Sequence, residues 1–402
     1  MPPHEGLTHL KEYDIKDSNV ELIGSDIDHK VKYRSAQTEP AWNDGKVGQV
    51  AGLHIWRIEN FEVIIWPHDK AGEFYDGDSY IVLHSYKVGN KDREEKLCHD
   101  IFFWLGSKTS QDEAGTAAYK TVELDEFLRG SATSHREVQQ APSEQFMALF
   151  PKLKILSGGV RSGFRHVDRD TRPEAINTLL RIFKHPPGAR TASLVVHEVE
   201  PIWQSLDEED VFVLDAGSTK IWVWQGKSCS PMEKAKAAQV VHDMTLAKHV
   251  DVEVLSQAES RSRLVVDLLG GKDADYASLQ CPRPIKSSQK LATESPRPQR
   301  LYRFSDESGR MSFNLVKDGQ SIRRQDFDGN DVFVFDNGTA IWVWRGLKAS
   351  KAEKSMWIKV VQMYVRQLQE RQEGGEVHLA PVATVLEGNE SPAFLKALEA
   401  AA

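Results

Sequence analysis

The sequence predicts an α+β protein of three tandem homologous domains, each a central mixed β-sheet with helices packed against it. Three observations predict it. An alternating apolar run ends in Gly, a Ser then opens a helix, and a Glu follows three residues later. The copies read HDIFFWLG-SKTSQDE (Gly106, Ser110, Glu113), TKIWVWQG-KSCSPME (Gly226, Ser230, Glu233) and TAIWVWRG-LKASKAE (Gly346, Ser350, Glu353). Upstream of each lies a second matched strand with an Asp at its start: YDGDSYIVL (Asp78), DEEDVFVLD (Asp210) and GNDVFVFD (Asp331). The repeat length of roughly 120 to 130 residues is too long for a solenoid unit, so each copy should have its own core.

Along the chain, residues 1–45 are polar and weakly patterned, and read as an extension packed on or draped over the first repeat. The first repeat, residues 46–164, opens with GLHIWRIENFEVIIW, a run rich in Ile, Trp and Val that reads as strand. It continues through SYIVLHSY, an extended hairpin over SYKVGNKDREEKLCHD, HDIFFWLG and a helix from Ser110 to about Arg129. In that helix Ala118, Val122 and Leu124 to Leu128 supply apolar positions, against polar Lys120, Glu123 and Asp125. A linker over 165–175 precedes the second repeat (176–270), which opens at LLRIFK. Residues 271–299 are rich in Pro, Ser and Lys, the chemistry of a mobile linker. The third repeat (300–398) opens at LYRFSD.

Composition narrows the function. The hydrophobic fraction of 40% and charged fraction of 27% are those of an ordinary soluble globular chain. No apolar run approaches the length needed to cross a bilayer, and MPPHEGLTHLKEYD lacks the apolar core of a signal peptide. Cys98, Cys229 and Cys281 form neither a disulfide framework nor a metal-ligand spacing, which suits a reducing cytosol. A net charge of −8 argues against wholesale nucleic-acid binding while leaving room for a local basic patch.

Two readings of the repeated acids stand side by side. Ser-x-x-Glu at a helix start is a capping box, in which the Glu reaches back to the Ser backbone N–H, and Pro231 sits where a first helical residue tolerates proline. The alternative is calcium, which mixes carboxylates with backbone carbonyls and water. An Asp at a strand start and a Glu at a helix start would converge if the intervening strands bring them together. There is no EF-hand loop, so such a site would be composite. Homologous domains would repeat either feature, so repetition leaves both open.

GLHIWRIENFEVIIWP, FYDGDSYIVLHSY, HDIFFWLG, TSQDEAGTAAYKTVELDEFL, HREVQ and GGVRSGF together resemble the first domain of the gelsolin/villin family, and the three-repeat length resembles its short members, severin and fragmin. The resemblance runs from about residue 45 through nearly the whole chain. It implies a mixed sheet between a long and a short helix in each repeat, and calcium-regulated severing of actin filaments with capping of their barbed ends. A close variant caps without severing. Carried over by position, the first calcium site would use the Gly77 carbonyl, Asp78, Glu113 and the Val160 carbonyl. The matched sites would use the Glu209 carbonyl, Asp210 and Glu233, then the Asn330 carbonyl, Asp331 and Glu353, with Glu390 as a candidate to close the third. With the resemblance, calcium is the favoured reading of the first-repeat pair, and Ser110 still caps the helix. A second first-repeat site, shared with an actin carboxylate, would use Asp125 and the carbonyls of Gly130 and Ala132.

The resemblance also places Ala118, Tyr119 and Val122 on an actin-contacting helix face, with Lys184, Arg190, Lys234 and Lys236 as side-binding positions on the second repeat. Between the first two repeats the charge turns positive, through Lys152, Lys154, Arg161, Arg165, Arg169, Arg172, Arg181, Lys184 and Arg190. Such a strip suits phosphoinositide head groups or acidic actin, and the resemblance implies phosphatidylinositol 4,5-bisphosphate at Lys152, Lys154, Arg161 and Arg165. Val211 stands where secreted relatives often carry a disulfide cysteine, which fits a cytoplasmic, cytoskeletal protein. A monomer with one barbed-end cap per chain is expected. An enzyme built on the Asp/Glu pairs or on His99–Asp100 is disfavoured, since no nucleophile elbow, phosphate loop or zinc signature appears.

Overall fold

Successive strand residues point to opposite faces of a sheet, so the alternation in each repeat fixes two apolar layers, and each layer needs a helix to cover it. The computed structural model describes residues 38–89, 96–160, 178–186, 193–217, 220–247, 250–272, 278–287, 297–371 and 376–400. The first repeat runs β1 (Gly52–Glu59), β2 (Glu62–Ile65), β3 (Glu73–Tyr75), β4 (Ser79–Val88), β5 (Lys96–Leu105), α1 (Gln111–Phe127), β6 (Ala132–Val138), α2 (Glu144–Ala148) and β7 (Leu153–Leu156). Ile81, Leu83, Ile101 and Phe103 pack with Ala117 and Leu124 of the long helix α1. The intervening Tyr80, Val82, Phe102 and Trp104 pack with Phe146 and Met147 of the short helix α2. β4 is antiparallel to β1 and β5, while β6 runs parallel to β5 after the α1 crossover, which makes the sheet mixed.

The second repeat repeats the plan with β8 (Thr178–His185), β9 (Ser193–Val199), β10 (Val211–Asp215), β11 (Lys220–Gln225), α3 (Pro231–Ala247), β12 (Asp251–Ser256) and α4 (Arg263–Leu268). The third does so with β13 (Arg300–Ser305), β14 (Ser312–Asp318), β15 (Val332–Asp336), β16 (Ile341–Arg345), α5 (Lys351–Ser355), α6 (Trp357–Glu370), β17 (Val382–Leu386) and α7 (Pro392–Glu399). Val213 and Val223 meet α3 while Phe212 and Trp224 meet Val265 and Val266 of α4. Val334 and Val343 meet α6, and Phe335 and Trp344 meet Phe394 of α7. A mixed sheet between a long and a short helix is thus present in all three repeats.

The repeats are joined in two different ways. The strands form a ten-stranded sheet, β14-β13-β15-β16-β17-β6-β5-β4-β1-β2, and a seven-stranded sheet, β12-β11-β10-β8-β9-β7-β3. β7 of the first repeat pairs in parallel with β9 of the second, and Phe183 and Val195 enter the first repeat's α2-side core. Repeats one and three meet instead through an antiparallel β6–β17 seam of Val382↔Arg136, Ala383↔His135 and Thr384↔Ser134.

Of the two readings of the extension, packed on or draped over the first repeat, residues 38–48 take the first: Ala41, Trp42 and Val47 are buried in the first repeat's core, Trp42 meets Trp56 edge-on with ring centroids 4.7 Å apart, and Glu39 pairs with Lys120 at 2.7 Å. The rest of the extension, residues 1–37, lies outside the described residues. Residues 278–287, read as mobile linker chemistry, are packed. Leu279 is buried in the second repeat's core and Ile285 in the first's, because two spaced apolar side chains suffice to anchor a proline-rich strand.

The strand-end glycines have a steric cause. The N–H groups of Gly106, Gly226 and Gly346 donate to the carbonyls of Asp78, Asp210 and Asp331 at 3.0, 3.1 and 3.0 Å. A Cβ at any of the three would fall inside 3.0 Å of the main chain preceding that Asp. This staple fixes the Asp turn against the start of the helix. Gly226→Ala is expected to destabilise the protein by about 1–3 kcal/mol through overpacking. Gly115→Ala, on the exposed side of α1 with nothing within 4 Å of the added methyl, should be neutral or stabilising by up to about 1 kcal/mol. Urea denaturation of both variants checks the pair.

Candidate metal centres

In each repeat the first strand delivers an arginine to the buried Asp. Arg57 lies opposite Tyr80, Arg181 opposite Phe212 and Arg303 opposite Phe333, each two residues past Asp78, Asp210 or Asp331. The Asp side chains are sealed from solvent, at 0%, 0% and 2% exposure, as are Glu113, Glu233 and Glu353 at 2%, 2% and 1%. The capping-box reading holds in all three copies: Ser110, Ser230 and Ser350 accept from the Glu backbone N–H, and each Glu accepts from the Ser backbone N–H. A carboxylate has two oxygens, so the cap and a metal are not exclusive.

The three copies differ in what meets the second oxygen. Glu233 Oε1 accepts from Lys184 N at 2.9 Å, and Glu353 Oε1 accepts from Asp306 N at 2.7 Å. Both donors lie three residues past the strand arginine. The matched residue in the first repeat, Asn60, instead turns with φ of 50° into the β1–β2 hairpin. Glu113 Oε1 is left buried with no hydrogen-bond partner among the described residues. The arginines differ as well. Arg181 holds Asp210 Oδ2 and Arg303 holds Asp331 Oδ2, each at 2.6 Å. Arg57 Nε turns to Glu59 at 2.6 Å and leaves Asp78 Oδ2 at 3.5 Å.

The first centre is therefore short of positive charge. Burial pushes the Asp78 carboxyl up to about 6 and the Glu113 carboxyl up to about 7, the latter raised further by the Asp78 charge beside it. Val160 N donates to Asp78 Oδ1 at 2.9 Å, Gly77 N donates to the Gly158 carbonyl at 2.8 Å, and the Asp78 charge acts on Glu113, so the four residues lie together, with Gly77 and Val160 using their N–H groups in these contacts. Gly159 is required here, because a Cβ would collide with Asp78 Oδ1. Two buried carboxylates with one bare oxygen and nearby main-chain carbonyls suit a hard divalent cation. Among the described residues no three acidic, His or Cys side chains converge to hold a metal by themselves, so main-chain oxygens would have to contribute.

The other centres are more heavily guarded. Asp210 also receives Arg283 at 2.7 Å, while Glu209 beside it is exposed. In the third repeat Asp306, which the sequence reading passed over, brings its carboxylate to Ser350 Oγ at 2.7 Å beside Glu353. Burial raises the Glu353 carboxyl, opposed by the Asp306 and Ser350 backbone N–H groups that bond it, while the Asp306 carboxylate adds to the rise. Glu390 does not close that centre. It accepts from Trp344 Nε1 at 3.0 Å and pairs with Arg324 at 3.3 Å.

At the far end of α1, Asp125 Oδ1 accepts from Ala132 N at 3.0 Å and Gly130 N donates to the Asp125 carbonyl, so Asp125, Gly130 and Ala132 come together. Asp125 Oδ2 faces Arg345 of the third repeat at 3.3 Å, which no reading of one repeat could reveal. On the same helix Tyr119 is exposed at 50%, whereas Ala118 and Val122 are half-buried. Among the basic positions, Lys152 reaches Asp243 at 3.6 Å and Lys154 reaches Glu73 at 3.2 Å. Lys184 is half-buried and uses its backbone in the second centre, while Lys236 is buried and bonds Gln239 at 3.0 Å, which removes it as a free side-binding cation. Arg161, Arg165, Arg169, Arg172 and Arg190 lie outside the described residues. His99 and Asp100 form no dyad. The His99 ring meets Ser85 Oγ at 2.9 Å, whereas Asp100 faces His135 and Gln145 on the other side of β5.

The comparisons with known proteins agree with this architecture. A sequence model described as the gelsolin repeat matches residues 70–147, 193–263 and 321–395. The chain is 38% identical over 399 residues to gelsolin-like protein 1 of Lumbricus terrestris, covering 98% of this chain and 99% of that protein. It is 36% identical over 361 residues to severin of Echinococcus granulosus, covering 87% and 89% respectively. Cytoplasmic gelsolin of Homarus americanus is 38% identical over 314 residues, 76% of this chain but 39% of that longer protein. With three matched repeats and end-to-end likeness to a relative of the same length, the chain belongs to the gelsolin family.

Proposed function

We propose that this chain is a calcium-regulated actin-binding protein that severs filaments and caps their barbed ends, acting as a cytoplasmic monomer on the cytoskeleton rather than as an enzyme. The observation that carries the reading is Asp125 facing Arg345 across the β6–β17 seam. Asp125 lies with Gly130 and Ala132 at the end of the first-repeat helix, and the third repeat covers its carboxylate with a guanidinium.

Calcium, when bound, supplies a compact divalent charge to paired carboxylates and carbonyl oxygens. Asp78 and Glu113, with the Gly77 and Val160 carbonyls, would hold it in the first repeat. Asp210 and Glu233 with Glu209, and Asp331 and Glu353 with Asn330, would hold it in the others. Asp125, Gly130 and Ala132 would complete a shell with an actin carboxylate once Arg345 has left. The seam that must part is polar: Lys96 bonds Asn389 at 2.6 Å, Asn389 bonds the Ser131 carbonyl, and Arg136 reaches the His378 carbonyl at 3.3 Å. Buried Thr384 Oγ1, Trp342 Nε1 and Arg345 Nε have no hydrogen-bond partner among the described residues. Phosphoinositide head groups, acting at Lys152, Lys154, Arg161 and Arg165, would compete with Asp243 and Glu73 for the two described lysines.

Single-filament fluorescence microscopy tests the reading. Breaks along filaments are expected in calcium and not with chelator. Arrest of barbed-end growth without breaks would leave a capping protein, and no effect on filaments would overturn the proposal. Asp78→Ala should raise the calcium needed. Arg345→Ala should lower the calcium midpoint by about fivefold, because it removes a cation that favours the closed form.

The buried acids also set a pH dependence. Asp78 and Glu113 have folded-state pKa values above the ordinary carboxyl range, so the metal-free fold retains protons that the unfolded chain has released. Their contribution to stability is present at low pH and is lost as pH rises through about 6 to 7. The same protons oppose calcium. First-centre affinity should rise between about pH 5.5 and 8, and below about pH 6 should fall by about tenfold per unit for each protonating carboxyl. Calorimetric titration across that range checks this, and Glu113→Gln should flatten the profile.

A further inference from the structure

The second centre receives a cation, Arg283, from outside its own repeat. Residues 278–287 form a strap without regular secondary structure that touches all three repeats. Leu279 is buried in the second repeat and Ile285 in the first, Lys286 N donates to the Gln140 carbonyl at 2.7 Å, and Lys286 Nζ pairs with Glu376 of the third. In its middle, Arg283 bonds Asp210 Oδ1 at 2.7 Å and the Lys184 carbonyl at 3.1 Å, with its guanidinium over the Phe183 ring at 5.4 Å. Arg181 secures the same strap by donating to the Cys281 and Pro282 carbonyls at 2.8 and 3.0 Å, and Cys281 N donates to Asp207 at 2.8 Å.

We propose that Arg283 is a tethered guanidinium that occupies the second metal centre, and that a divalent cation taken up by Asp210 and Glu233 displaces it and frees the strap from the first and third repeats. This rests on the calcium reading of the repeated Asp/Glu pairs. Both oxygens of Asp210 are taken, Oδ2 by Arg181 at 2.6 Å and Oδ1 by Arg283 at 2.7 Å, and Asp207 and Glu209 bring further carboxylates to 3.6 Å from Arg181 and 3.9 Å from Arg283. A divalent ion ligated by Asp210 needs one of those two oxygens, and a guanidinium kept at hydrogen-bond distance from the ion would repel it. One arginine has to leave. Arg181 is 1% exposed on β8, a strand paired on both sides, whereas Arg283 is 17% exposed on a strap outside any strand, which makes Arg283 the one to leave. Loading this centre and holding the strap are therefore mutually exclusive. By linkage, whatever stabilises the strap on repeats one and three lowers the affinity of the second centre by the same factor.

The test uses the full chain, with calcium as the probe. Hydrogen exchange of the Cys281 and Lys286 amides reads the strap, and calorimetric titration reads the centres. In the unaltered protein these amides should be protected with chelator and should exchange rapidly once the second centre is loaded. Arg283→Gln should expose them already in chelator and raise the affinity of one class of sites by about tenfold. Arg283→Lys, which keeps the charge, should restore much of the protection. Asp210→Asn should also loosen the strap in chelator, yet abolish one calcium equivalent. Calcium binding at several centres with the strap equally protected throughout, and with Arg283→Gln unchanged in affinity, would overturn the proposal while leaving the calcium reading intact. Absence of any binding heat in the unaltered protein would overturn both.

Discussion

A carboxylate sealed from water at the end of a β-strand has to be neutralised, and in this protein the manner of neutralisation organises everything around it. The Asp turn is stapled to the strand-end glycine, the arginine of the opening strand is aimed at it, and the helix-capping glutamate stands beside it. Each repeat solves the same problem with a different amount of positive charge. The first leaves Glu113 Oε1 bare and Arg57 half-diverted to Glu59, the third relies on Arg303, and the second adds Arg283 from outside its own repeat. The least compensated centre lies in the repeat that also carries the exposed Tyr119 helix face.

The contrast between the two joints between repeats follows from what each buries. Repeats one and two share apolar side chains, with Phe183, Val195 and Ile155 in one core, and separating them would expose hydrophobic surface to water. Repeats one and three share a short backbone ladder and ion pairs, which water can replace at little cost. Among the described residues no buried apolar cluster contains side chains of both the first and the third repeat. The two joints therefore differ in what their separation would expose, apolar surface at one and polar groups at the other.

Much of this was legible in the sequence because the repeats supply their own alignment. The Gly-Ser-Glu spacing located the strand end, the helix start and the buried acids, and the Asp at the start of each neighbouring strand located their partners. The arginines were visible in WRIE, LRIFK and YRFSD, but their role depends on strand register, which a single copy does not specify. Asp306 was hidden because its carboxylate matters only after β13 places it next to the helix cap. Arg345 and Arg283 were beyond reach for a stronger reason. Each acts on a carboxylate roughly 70 to 220 residues away in another part of the chain, and periodicity carries no information on how repeats dock. The strap misled composition altogether: proline and serine signal an absence of regular hydrogen bonding, which is compatible with firm packing when Leu279 and Ile285 fall into existing cores.

The same chemistry that makes the guards effective also makes them removable. A guanidinium on a buried carboxylate is stable only as long as no better cation is offered, since both partners have already been stripped of water. Arg345 and Arg283 are the two guards that come from another part of the chain, and both sit on elements that tie the third repeat to the first. A carboxylate neutralised only by an arginine of its own sheet, as Asp331 is by Arg303, has no bearing on how the repeats are arranged. Because Asp210 and Asp125 borrow counter-charges from outside their own repeats, their electrostatics and the docking of the neighbouring elements are coupled.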